Sequence, residues 1–146
     1  MRVVPSWTEY FVALVRDVPL RSKDPQTQVG ALIVDPSNHV VMAGYNGFPA
    51  GVLEDDARWE RPAKYDRVIH AEINAIGYAA RTGRATDGCT MYCTHAPCLP
   101  CAQLMIVAGI RCVVYEHWVD THHESCTKAV ALLREAGVAV ERFSKE

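Results

Sequence analysis

Apolar and polar positions follow two different periods along this chain, and the switches between them mark out the elements. Ser6 and Glu9 form a capping box ahead of Trp7 to about Asp17, where Tyr10, Phe11, Leu14 and Val15 make one helical stripe. Val29 to Asp35 and Val40 to Tyr45 read as strands, and Pro36-Ser37-Asn38-His39 between them as a hairpin turn. After a long loop, Ile73, Ile76, Gly77 and Ala80 fall at i, i+3, i+4 and i+7 and predict a helix from about His70 to the stop at Arg81-Thr82-Gly83. A strand over Cys89 to Thr94, a helix from Cys98 to about Ala108 and a strand over Arg111 to Tyr115 come next. A helix over Ser125 to Ala136 and a closing strand over Val138 to Phe143 complete the alternation. Strands alternating with helices at this length predict an α/β fold, a three-layer αβα sandwich with a central mixed sheet of about five strands: an opening hairpin, then crossover units. Without an internal repeat, low-complexity tract or linker, residues 1–146 read as a single domain.

Composition narrows the setting. At 146 residues, 49% of them apolar, the chain can bury a sizeable core. No apolar run approaches a membrane span, and Met1-Arg2-Val3-Val4-Pro5 lacks the apolar stretch of a signal peptide, so a cytoplasmic protein with no membrane partner is expected. Outside a secretory context, Cys89, Cys93, Cys112 and Cys126 are expected as free thiols, mostly buried. The formal charge of −2 lacks the basic excess that neutralises a polynucleotide backbone, which favours a small-molecule substrate and no nucleic-acid partner.

His70-Ala71-Glu72 and, further on, Pro97-Cys98-Leu99-Pro100-Cys101 carry the chemistry. One imidazole and two thiolates offer three donors to zinc and leave a fourth tetrahedral position for water. Residues at i and i+2 do not share a helix face, so His70 and Glu72 converge on one centre only at a helix mouth, with Glu72 placed to move protons. Cys98 and Cys101, at i and i+3, do share a face, and Pro97 and Pro100 are tolerable only in a first turn, which puts these ligands at a helix N-terminus as well. There the helix dipole favours thiolate. The spacing is that of zinc-dependent nucleobase deaminases. The bland alternative is a closed structural zinc site whose fourth ligand comes from Cys89, Cys93, His95, Cys112 or Cys126.

With these motifs the chain resembles the cytidine deaminase superfamily, and within it the deoxycytidylate (dCMP) deaminases. The resemblance rests on Val29-Gly30-Ala31, Gly44 to Gly51 (GYNGFPAG), Glu60 to Tyr65 (ERPAKY), His70 to Ile76 (HAEINAI) and Ala96 to Ala102 (APCLPCA). It implies a cytidine deaminase-like fold and hydrolysis of dCMP to dUMP and ammonia, which supplies the dTMP precursor in pyrimidine deoxynucleotide metabolism. It also implies one catalytic zinc on His70, Cys98 and Cys101, with Glu72 as proton shuttle. Asn46 would hydrogen-bond the sugar, although Asn46-Gly47 also suits a plain turn. Arg21, Ser22 and Lys23 would hold the phosphate, against the alternative of a solvated loop. Ala71 and Pro97 would orient the pyrimidine edge, and Tyr65 would flank the substrate or serve only as a packing anchor. Family members are commonly homo-oligomers, often hexamers, activated by dCTP and inhibited by dTTP. Here Gly44 to Gly51 is the matching candidate for such regulation.

Two stretches depart from the family. Some relatives hold a second, structural zinc before the catalytic histidine, but Gly51 to Ile69 has no Cys or His, so one zinc per chain is expected. The run Glu116 to Glu124, with His117, His122 and His123, has no match and falls where the pocket rim is expected, either as a flexible polar rim or as a metal-binding cluster. The enzyme rival is a transfer-RNA adenosine deaminase or other polynucleotide editor; the non-enzyme rival is a zinc-stabilised regulatory module. Intact Glu72 speaks against the latter.

Overall fold

A computed structural model of the protein describes residues 1–144. Its elements, in chain order, are α1 (Trp7–Asp17), β1 (Gly30–Val34), β2 (Val40–Tyr45), a one-turn α2 (Asp56–Trp59), α3 (Ala71–Arg81), β3 (Thr90–His95), α4 (Leu99–Val107), β4 (Cys112–His117), α5 (His123–Glu135) and β5 (Ala139–Arg142). The five strands lie in the order β2-β1-β3-β4-β5. β1 runs antiparallel to β2 and β3, whereas β3, β4 and β5 are parallel. The sheet is therefore mixed, as the alternation predicts.

The parallel half decides which face carries the site. Crossovers β3-α4-β4 and β4-α5-β5 share one hand, so both helices land on the same face. α3 joins them there, and alternate strand residues, among them Ile33, Met91 and Val113, pack against Ala75, Met105 and Leu133. The opposite face is covered by α1, whose Phe11, Val12 and Val15 meet Leu32, Val34, Tyr92 and Val114. β1, sandwiched between both layers, is buried at every position, which explains its unbroken apolar run.

Two stripes are rotated from their predicted setting. In α1 the buried face is Phe11, Val12 and Val15, while Tyr10 and Leu14 remain 43% and 38% exposed, because no second helix shares that layer. In α3 the buried face is Glu72, Ala75, Ile76 and Ala79, with Gly77 and Ala80 outside. Small side chains let α3 lie tight on β2: a Cβ at Gly44 would sit 2.5 Å from the Ala71 carbonyl oxygen and 2.6 Å from the Ala75 nitrogen.

The predicted long loop between β2 and α3 holds α2, capped by Asp55, and a single 3-10 turn over Ala63–Asp66. Trp59 stacks on Phe48 with centroids 4.3 Å apart, and the Gly47–Ile69 backbone pair closes the insertion at its base. Neither piece is long enough to leave a periodic signal. At the hairpin, Asn38 takes a positive φ of 65° while Asp35 Oδ1 accepts the Ser37 and His39 N–H groups at 2.9 Å each. Among the described residues all six cysteines are unpaired, with Cys89, Cys93 and Cys126 buried and Cys112 half-buried. Among the described residues no helix is long and apolar enough to cross a membrane.

Candidate active site

His70 is the N-cap of α3 and Cys98 the N-cap of α4. Both are extended in backbone, and neither side chain caps its own helix, so each is left to face the gap between the two N-termini. Ser125 Oγ on α5 accepts the Leu99 N–H at 2.9 Å in place of the missing Cys98 cap. In the gap, His70 Nδ1 lies 3.2 Å from Cys98 Sγ and 3.3 Å from Cys101 Sγ, and the two sulfurs are 3.4 Å apart. These are the residues whose donor atoms form a potential metal cluster among those described, all within 4.8 Å.

The donor set fits zinc. Bonds of about 2.3 Å to sulfur and about 2.0 Å to nitrogen give tetrahedral edges of roughly 3.5–3.8 Å. The observed separations are a few tenths of an ångström shorter, a difference that small side-chain rotations remove. None of Cys89, Cys93, His95, Cys112 and Cys126 joins the cluster, so the described residues supply three donors to a four-coordinate ion.

Electrostatics at the cluster follow from sharing and burial. The Cys98 thiol is pushed down to about 4, chiefly by the hydrogen bond from Cys101 and then by His70, while Cys101 moves up because it retains the shared proton in a buried position. His70 is raised by its hydrogen bond to Cys98. Glu72, in the first turn of α3 and 4% exposed, is raised by burial, with its own backbone N–H opposing. Its Oε2 lies 3.6 Å from Cys101 Sγ. A carboxyl group lifted towards neutrality beside a metal cluster is suited to exchange protons in both directions.

A cavity of about 300 Å³ opens over these groups. His70, Ala71, Glu72 and Cys98 line it, together with Asn46 and, at its exposed mouth, Tyr65. Pro97 is fully buried behind the Cys98 ligand. Ser22 instead lines a neighbouring groove with His95 and His117, and its hydroxyl donates to the Asn46 carbonyl at 2.8 Å. Arg21 is exposed, and Lys23 pairs with Glu54 at 3.6 Å. The unmatched run does reach the rim, through Val119, Thr121 and His122. Its histidines are dispersed: His117 faces the groove, and His123 accepts from Trp118 Nε1 at 3.0 Å.

Three lining residues escape a sequence reading. Asp24 and Lys64 meet across the cavity wall as a buried ion pair at 3.0 Å, and Arg61 stands at the mouth with its guanidinium 5.8 Å from the Tyr65 ring centre. Lys64 and Arg61 lie inside the ERPAKY segment, but partners 40 residues apart are not visible in a linear pattern.

A three-donor metal cluster beside a buried carboxyl group, on this face of an αβα sandwich, defines a metal-dependent hydrolase of the nucleobase-deaminase class. Residues 5–117 match the family model for the cytidine and deoxycytidylate deaminase zinc-binding region, and the chain belongs to that family. It is 42% identical over 145 residues to the deoxycytidylate deaminase of Homo sapiens, covering 94% of this chain and 79% of that one. It is 39% identical over 139 residues to ComE operon protein 2 of Bacillus subtilis, covering 94% and 71%. Among solved structures, the dCMP deaminase of the cyanophage S-TIM5 in complex with dCMP and dUMP superposes with a TM-score of 0.80 at 27% identity, over 97% of this chain and 100% of that one.

Proposed function

We propose that the protein hydrolyses dCMP to dUMP and ammonia, using one zinc ion per chain. The observation that carries this reading is Glu72, a buried carboxyl group on the cavity wall 3.6 Å from a metal-ligating sulfur. Family membership and the deoxycytidylate deaminase relatives fix the substrate class. His70 Nδ1, Cys98 Sγ and Cys101 Sγ would hold the ion. Bound there, zinc would act as a Lewis acid that makes water a nucleophile near neutral pH.

Glu72 accepts a proton from the attacking water and delivers it to N3 of the cytosine ring, which makes C4 electrophilic. A second transfer through the same carboxyl group loads the C4 amine, so that ammonia leaves and the carbonyl of uracil remains; the net change is one water in and one ammonia out. The Ala71 backbone and the turn at Pro97 orient the pyrimidine edge. Asn46 accepts a hydrogen bond from the sugar, and Arg21, Ser22 and Lys23 hold the phosphate, with Tyr65 flanking the nucleotide at the mouth.

The same proposal places the enzyme in the cytoplasm as a homo-oligomer, by resemblance a hexamer, activated by dCTP and inhibited by dTTP. Unpaired cysteines and an exposed Trp7-Tyr10-Leu14 flank on α1 support the first two parts. Regulation rests on the Gly44 to Gly51 segment alone, and is read out by sedimentation and rate with each triphosphate.

The deciding experiment follows ammonia release and product identity from zinc-loaded protein given dCMP, CMP, dCTP, deoxycytidine and C5-modified dCMP. Conversion of dCMP well above the others is expected. Silence on every mononucleotide, with and without dCTP, coupled with activity on RNA or DNA oligomers, would replace the reading with a polynucleotide editor. Silence on both would leave a zinc-stabilised module.

A further inference from the structure

Lys64 and Asp24 are 6% and 4% exposed and line the reaction cavity, yet no chemical step above uses them. Lys64 Nζ donates to Asp24 Oδ2 and to Gln26 Oε1, both at 3.0 Å. Asp24 Oδ1 accepts the Gln26 N–H at 2.9 Å and the Thr27 N–H at 3.3 Å. The pair therefore ties the insertion before α3 to the loop before β1. As a contribution to stability alone a buried ion pair roughly breaks even against apolar packing. Its placement gives it a second consequence.

Asp24 Oδ2 also accepts from Asn46 Nδ2 at 3.3 Å, and the other Nδ2 hydrogen goes to the Thr27 carbonyl at 2.9 Å. Asn46 Oδ1 accepts the Val29 N–H at 2.8 Å. An asparagine amide rotated by half a turn exchanges donor for acceptor, so its orientation decides what it can recognise. Here both N–H groups are spent on two acceptors, a carbonyl and a carboxylate, that could not bind an oxygen. The amide offers the cavity only the second lone pair of Oδ1. The sugar of dCMP carries a single free hydroxyl, at C3′, and a hydroxyl can donate to that lone pair.

We propose that Lys64, acting through Asp24, is a positioning residue: it holds the Asn46 amide as an acceptor for the 3′-hydroxyl and so sets how strongly the enzyme reads that group. This rests on the reading that dCMP is the substrate and that Asn46 meets its sugar. Lys64 neutralises the buried carboxylate and fixes Oδ2; without it Asp24 is drawn towards water, and the amide, still oriented by the Val29 N–H and the Thr27 carbonyl, loses the third bond that fixes its position.

The test compares dCMP with 2′,3′-dideoxycytidine monophosphate on the zinc-loaded wild type, Lys64→Met and Asp24→Ala/Lys64→Met, measuring kcat and KM separately together with Tm and zinc content. The double variant leaves no uncompensated buried charge and guards against a single variant that does not fold. In the wild type, loss of the 3′-hydroxyl is expected to lower kcat/KM by about 10- to 100-fold, as for a site left with an unpaired polar group. In both variants the value for dCMP falls, mainly through KM, while the dideoxy value stays within about twofold, so the ratio narrows. A purely structural role would lower both substrates alike and preserve the ratio, and that result overturns the proposal. A wild type that converts dCMP but ignores the 3′-hydroxyl also overturns it while leaving the deaminase reading intact. A wild type inactive on dCMP removes the functional reading and the proposal with it.

Discussion

Glu72 Oε2 lies 3.6 Å from Cys101 Sγ, so a buried carboxyl group and a thiol of the three-donor cluster share one corner at the mouth of α3. Glu72 is not one of the three clustered donors, and the two functions are separable. Glu72→Ala is expected to retain zinc and fold while losing turnover by at least the roughly 10²- to 10⁴-fold typical of a general acid–base group. Metal content by atomic absorption and single-turnover rates check this. Retained activity would remove Glu72 from the mechanism.

The same burial gives a pH signature in the metal-free protein. Burial raises Glu72 above its unfolded value, so the folded state holds its proton more tightly than the unfolded state does. Its neutral form is fully accommodated below the unfolded carboxylate range, and stability falls as pH rises through the elevated folded value. Glu72→Gln abolishes that penalty. The metal-free variant should therefore melt above metal-free wild type at neutral pH, by roughly 3 °C for each ~1 kcal/mol removed in a chain of this length. The difference should vanish at acid pH. Calorimetry across the range checks the sign, and a gain that grows as pH falls would contradict it.

Single substitutions should divide the cysteines in and around the cluster into two sets. Cys98→Ala and Cys101→Ala each remove a clustered donor and are expected to abolish tight zinc binding and activity together. Cys93→Ala, beside Glu72 but outside the cluster, should keep close to one zinc per chain and lose stability through its small cavity and its contact with Glu72. Zinc-to-protein ratios after dialysis distinguish these outcomes.

How much of this was legible in the sequence depended on the range of each interaction. The His70, Glu72, Cys98 and Cys101 constellation is read directly, because local spacing and helix-mouth geometry determine it. Strands survive for the same reason, with β1 announced by a run that must be apolar on both faces. The α3 stripe misleads because hydrophobicity weights Ile73 and Ile76, whereas contact with β2 requires the small Ala71 and Ala75 against Gly44. α2 is a single turn fixed by an Asp55 cap and the Phe48–Trp59 stack, which periodicity cannot register. The Asp24–Lys64 pair is out of reach because only the fold brings residues 40 apart into one wall.

Gly44→Ala tests that close approach. The added Cβ would meet the backbone of Ala71 and Ala75 at 2.5–2.6 Å, atoms that cannot rotate away, so α3 must move off β2. A loss of about 1–3 kcal/mol or more is expected from overpacking. Since His70 caps this helix, zinc affinity should fall with it. Gly77→Ala on the same helix, where an added Cβ meets nothing within 4 Å, is the control and should stabilise slightly. Equal effects from the two would mean that α3 is not seated through Gly44.

Phosphate recognition is the last point at which geometry and family resemblance are separable. Resemblance assigns the phosphate to Arg21, Ser22 and Lys23, and Ser22 ties that loop directly to the Asn46 carbonyl. Lys23 is already paired with Glu54, however, whereas Arg61 stands at the cavity mouth with no carboxylate in ion-pair range among the described residues. A cation in contact with a dianionic phosphate contributes through charge-assisted hydrogen bonds worth about tenfold or more in affinity. Arg21→Ala/Lys23→Ala and Arg61→Ala should therefore each raise KM for dCMP by about tenfold, with kcat little changed, because the contact is made equally in ground and transition states. Deoxycytidine, which lacks the phosphate, should respond to neither. An effect confined to Arg61 would move the phosphate site from the loop before β1 to the insertion before α3, and equal losses on the nucleoside would show that these side chains hold structure instead of phosphate.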